Sequence, residues 1–145
     1  MPQLVIASIM VALTVVMHLV GLGLLVALMR RHQRRLQVRR TRLHQLIVIF
    51  GAAFGLFALH TIEIWTYAIL YAAVGALPTF DDALYFSTTT YSTLGYGDVV
   101  LPRAWRLVGA IEGANGIILL GWSTAFFVSV INRIRLFEEE DAEER

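Results

Sequence analysis

The sequence predicts an all-α membrane protein, in which three helices cross a bilayer and a shorter helix enters between the second and third and returns as extended chain. Three observations predict it. Apolar residues make up 57% of the 145 residues and mean hydropathy is +0.66. Charged residues are held to 16%, against roughly 25% in soluble domains. The apolar residues also fall in three long runs instead of alternating with polar ones, which points to lipid as the solvent.

Residues 4–29 hold no formal charge. At ~1.5 Å per residue they reach ~39 Å, enough to cross a ~30 Å hydrocarbon core with some tilt. No basic residue precedes the run, so a retained helix is expected and not a cleaved leader. His18 near its middle has two readings, a neutral imidazole bonded to a neighbouring helix or a proton-sensing group.

Residues 30–42 form a basic connector with seven arginines, Arg30, Arg31, Arg34, Arg35, Arg39, Arg40 and Arg42. They are bunched outside the apolar run, which excludes a voltage-sensing helix. The expected role is topological, since arginine-rich loops stay in the cytoplasm, with anionic lipid headgroups as a further partner. The chain has no lysine and no cysteine. Disulfides, thiolate nucleophiles and cysteine metal sites are therefore excluded, and no nucleic-acid partner is expected.

The second run, residues 43–77, is longer than one crossing needs and ends before Pro78. His60 and Glu63 stand three apart on it and so share a face. A hydrogen bond to the first helix or to a neighbouring subunit is expected of them, with a pH sensor as the alternative. A zinc hydrolase would need further ligands, and His-Glu-x-x-His is absent, so no metal site is expected there and the only metal ion expected is potassium at the filter. No enzyme activity is expected.

Pro78-Thr79-Phe80-Asp81-Asp82 reads as a turn and a helix start, capped by Thr79 or Asp81, with acids at the positive end of the dipole. Residues 81–92 then make a helix of ~18 Å, too short to span. The third long run, residues 104–132, contains Glu112 and Asn115, and an acidic tail occupies residues 133–145. Arg42 precedes the second run while Arg133 and Arg135 follow the third. Both ends are thus cytoplasmic, the loop faces outside, and the N-terminus lies outside one crossing earlier. The tail is expected to be solvated and frayed, with pairing to the arginine connector as the alternative.

Between the short helix and the third run stands Thr93-Leu94-Gly95-Tyr96-Gly97-Asp98. A dehydrated cation in a bilayer needs oxygens to replace its water, and rings of backbone carbonyls can supply them. Aiming successive carbonyls to one side requires unusual backbone angles, which Gly95 and Gly97 tolerate. Non-helical chain at this depth must be buried in protein or line a wet pathway.

With residues 83–92 before it, this run closely resembles the pore segment of the potassium channel family. The resemblance covers residues 78–132, the preceding span matching only as a hydrophobic stretch. It implies a selectivity filter in which Thr93, through hydroxyl and carbonyl, and the carbonyls of Leu94, Gly95, Tyr96 and Gly97 coordinate bare potassium. Asp98 would sit at the outer mouth, and the Tyr96 ring would pack on aromatics such as Tyr85 and Phe86. Leu94 stands where the family usually has valine or isoleucine, Thr89 where many members have glutamate or valine, and Phe86 where many have tryptophan. The hydrogen bonds behind the filter must therefore be made by other residues or be missing.

One loop per chain gives a quarter of a ring, so the expected assembly is a C4 homotetramer in the plasma membrane, conducting potassium passively with no cofactor beyond the ions. The third helix should line the pore. Gly116 would begin a cavity face continued by Leu120, Thr124 and Val128, or alternatively serve, with Gly121, in close helix packing. Glu112 is expected to brace the filter by bonding Thr89 or Thr90. The alternatives are a less selective cation channel and a non-conducting subunit of a hetero-oligomeric channel.

Overall fold

The computed structural model describes residues 2–35 and 42–143, with side chains placed for residues 2–32, 43 and 45–133. Four helices follow in order: α1 (Pro2–Arg35), α2 (Arg42–Ala73), α3 (Phe80–Tyr91) and α4 (Arg106–Glu143). No strand occurs among the described residues. Pro2–His32, Gln45–Ala73 and Arg106–Arg133 are each long and apolar enough to cross a membrane. The expected fold class of three spans and a short helix is present.

Element ends differ from the sequence reading for local reasons. α2 stops at Ala73, before the expected residue 77. Gly75 adopts φ 63°, its N–H bonds the Ala72 carbonyl at 3.1 Å, and the Ala76 N–H reaches back to the Tyr71 carbonyl at 2.9 Å. That pairing around a left-handed glycine closes the last turn of a helix. α3 takes Thr79 as its cap, whose hydroxyl oxygen accepts the Asp82 N–H at 3.0 Å, with Asp81 and Asp82 in the first turn. α4 runs beyond residue 132 to Glu143, so the acidic tail continues the helix backbone where a frayed end was expected. Pairing of the tail with the arginine connector concerns residues 36–41 and the tail side chains, which lie outside the described residues.

The buried apolar residues form two clusters, a larger one around Tyr67, Tyr71, Ala83 and Val108 and a smaller one around Val48, Ala52 and Val130. α1 packs on α2 and α4 of its own chain, and α3 is held between α2 and α4. Each long helix buries a single stripe. On α1 it contains Ala7, Met10, Thr14 and His18; on α2 Val48, Ala52, Leu56, Leu59, Glu63, Tyr67 and Tyr71; on α4 Val108, Glu112, Asn115, Leu119, Ser123 and Val130. Steps of three and four residues mark one face of a helix. The other faces are as apolar as the stripes, with Val5, Ile9, Phe54, Phe57 and Ile117 among the exposed residues, as lipid-facing helices require.

Candidate functional site

α3 ends at Tyr91, and the chain then leaves helical geometry through residues 92–100. The turn is fixed from behind. The Thr93 N–H bonds the Thr90 carbonyl, and the Gly95 N–H bonds the Thr89 carbonyl, both at 3.0 Å. Thr93, Gly95 and Gly97 have φ of 61°, 53° and 78°, so left-handed residues alternate along the segment. In ordinary extended chain successive carbonyls point to opposite sides. Placing every second residue in the left-handed region turns them towards a common side. Glycine does so freely, whereas for β-branched Thr93 positive φ is a true outlier, of the kind that clusters at functional sites.

The segment is open in the single chain. Leu94 is 59% and Tyr96 68% exposed. The expected packing of Tyr96 on Tyr85 and Phe86 is not formed within the chain. Phe86 instead meets Tyr71 edge to face at 5.5 Å, and the Tyr85 hydroxyl donates to Asp98 Oδ2 at 2.8 Å. That bond holds the Asp98 carboxyl below the usual carboxylate range, and the Val99 N–H adds to the effect.

Behind the segment lies a frame of buried polar groups. Glu112 of α4 is fully buried, as expected of a residue facing protein. Its partners, however, are not Thr89 or Thr90. Ser87 lies 2.5 Å from Oε1, and the Tyr71 hydroxyl donates to Oε2 at 2.7 Å. The Thr89 hydroxyl returns to its own helix, at the carbonyls of Tyr85 and Phe86. Ser87 also reaches the Ile64 carbonyl at 2.9 Å, so this one hydroxyl links α2, α3 and α4. Thr89 still supports the segment, but through its carbonyl on Gly95.

Glycine at 116 is a close-packing position. A Cβ there would collide with the Tyr91 carbonyl at the end of α3, and Gly116 is buried, while Thr124 and Val128 are exposed and Leu120 is half-buried. The predicted cavity face thus loses its first member. Gly121 has open space around it within the single chain.

The structure makes the hydrogen bond to the first helix that was expected of the His60–Glu63 face, and gives partners to Tyr91 and Asn115, which the sequence left open. His18 Nδ1 lies 2.9 Å from Glu63 Oε1, which joins α1 to α2. The Tyr91 hydroxyl donates to Glu63 Oε2 at 2.5 Å. Asn115 Nδ2 donates to Thr14 Oγ1 at 2.8 Å. The signal available was the presence of polar residues in apolar runs, which marks buried partners without naming them.

A family model described as ion channel matches residues 45–133, which takes in α2, α3, the extended segment and the spanning part of α4. No curated protein and no solved structure matches the chain. The match covers more than half of the 145 residues, leaves α1 outside it, and falls on the helix–short helix–helix unit that the geometry singles out. The chain belongs to the pore-loop potassium channel family of ion channels, a transport family and not one of enzymes.

Proposed function

We propose that the chain is the subunit of a potassium-selective channel in which residues 93–97 of four copies surround one axis and offer carbonyl oxygens to dehydrated potassium. The observation that carries this reading is the alternation of left-handed backbone at Thr93, Gly95 and Gly97 directly after a short helix. The C-terminal end of α3 directs its negative dipole end towards the same segment, which favours a cation. The exposure of Leu94 and Tyr96 in the single chain supports a homotetramer, in which neighbouring copies cover them. Asp98 stands at the outer mouth, and Leu120, Thr124 and Val128 contribute to an inner cavity. Transport is passive and uses no cofactor.

The proposed topology places the N-terminus outside, the loop outside and the C-terminus in the cytoplasm of a plasma-membrane protein. Arg31 and Arg133, on the same side, support it, and the connector at residues 30–42 would meet anionic headgroups. The test is purified protein in planar bilayers under opposed potassium and sodium gradients. A reversal potential that follows the potassium gradient is expected; one that ignores it defeats the proposal.

A further inference from the structure

Glu63 is the centre of a second cluster, away from the extended segment, that conduction does not use. His18 of α1 and His60 and Glu63 of α2 bring one nitrogen or oxygen each to within 4.8 Å of one another. His18 Nδ1 is 2.9 Å from Glu63 Oε1, and His60 Nδ1 is 3.1 Å from Glu63 Oε2. Donors about 2.0–2.1 Å from a tetrahedral zinc ion stand about 3.3 Å from each other. The Tyr91 hydroxyl, 2.9 Å from His60 Nδ1, adds a fourth donor. Two imidazoles, a carboxylate and an oxygen form a donor set suited to zinc-class ions.

The far sides of the imidazoles carry the argument further. Both Nε2 atoms face a single hydroxyl, Ser123 Oγ, at 2.8 Å for His60 and 3.5 Å for His18. A neutral imidazole carries one N–H. With both N–H groups directed at Glu63, two nitrogen lone pairs would compete for the one Ser123 proton. A cation on the Nδ1 side moves both N–H groups to Nε2. Ser123 Oγ then accepts both with its two lone pairs, as an outer partner that fixes the tautomer of metal-bound histidines. His18 and Glu63 are fully buried, while His60 keeps 12% of its side chain exposed and gives the site an open edge.

We propose that His18, His60 and Glu63 form a binding site for a divalent zinc-class cation, with Ser123 orienting both imidazoles. Such an ion ties α1, which lies outside the family match, to α2 and to Tyr91 at the foot of α3. The site stands apart from potassium selectivity, since its occupancy is read without any current.

The test uses the untagged full chain, purified into lipid nanodiscs, stripped with chelator and titrated with Co²⁺ and then Zn²⁺. One Co²⁺ per chain is expected, with the intense visible absorption of a tetrahedral site, displaced by Zn²⁺. His18→Gln and His60→Gln should abolish that spectrum, and Ser123→Ala should weaken binding by roughly tenfold, with size-exclusion profiles unchanged. Uptake well below one ion per chain, or a weak octahedral spectrum, would overturn the proposal and leave a hydrogen-bonded network only. Unaltered uptake in the histidine variants would overturn it as well. If a histidine variant fails to fold, the stoichiometry and spectrum of the native chain decide alone.

Discussion

The extended segment at residues 93–98 and the helical frame behind it solve opposite problems. In the frame, Glu63, Glu112, His18 and Asn115 are all buried, and every one has a hydrogen-bonded partner within the chain. In the segment, Leu94 and Tyr96 are exposed and three residues hold left-handed backbone. The frame is complete in one copy, whereas the segment presents groups that one copy does not cover. Changes to the segment should therefore alter conduction and leave the fold intact, and changes to the frame should lower stability, with conduction following only where the frame supports the segment.

Gly97→Ala tests that separation most severely. A side chain at φ 78° is strained, and the open segment relieves that strain by giving up its native backbone while the helices behind it stay packed. Selective potassium current should vanish while helicity and melting temperature stay at native values. A variant that melts early would show that the segment also holds the frame.

Next in size is Gly116→Val, where the added carbon meets the Tyr91 carbonyl. Overpacking of this kind costs about 1–3 kcal/mol, so thermal unfolding in detergent should move down by several degrees.

Glu112 separates packing from hydrogen bonding. Glu112→Leu leaves the buried Tyr71 hydroxyl without its acceptor, a loss of about 1–3 kcal/mol. Glu112→Gln keeps an acceptor and a donor and should lose less. Native melting and native conduction in both variants would remove the bracing role.

The smallest effect belongs to Asp98. The Tyr85 hydroxyl holds the Asp98 carboxyl below its ordinary range. A depressed carboxylate keeps its contribution above the unfolded-chain value and loses it as pH falls through the folded one. Tyr85→Phe raises that folded value towards the ordinary one. Acid titration of single-channel conductance should then show the loss of the Asp98 charge at a higher pH than in the native protein, with no change at neutral pH.

Three spans, a short helix and the extended segment were legible because each rests on run length, composition or glycine spacing. Of the partnerships, the bond from the His60–Glu63 face to the first helix was legible, and the others were not. In a lipid environment both faces of α4 are apolar, so periodicity does not reveal which stripe turns inward, and a rotation of one or two positions exchanges Ser87 for Thr89 as the partner of Glu112. The same ambiguity placed Gly116 on the cavity face, although it packs on Tyr91. α2 ends short of Pro78 because Gly75, at a left-handed φ, closes the helix earlier, and a glycine in an apolar run does not by itself mark a helix end. His18 and Glu63 lie 45 positions apart, and no local pattern pairs those two residues in particular over that distance.

Thr93 carries one further consequence. A threonine at φ 61° persists only where its surroundings over-determine it, and Leu94 and Tyr96 beside it find few neighbours in their own chain. In the proposed tetramer, a subunit parted from its companions should relax there first, while its helices stay paired. Disassembly would then be recorded as a change in amide exchange at Thr93 and Gly95, ahead of any melting of the bundle.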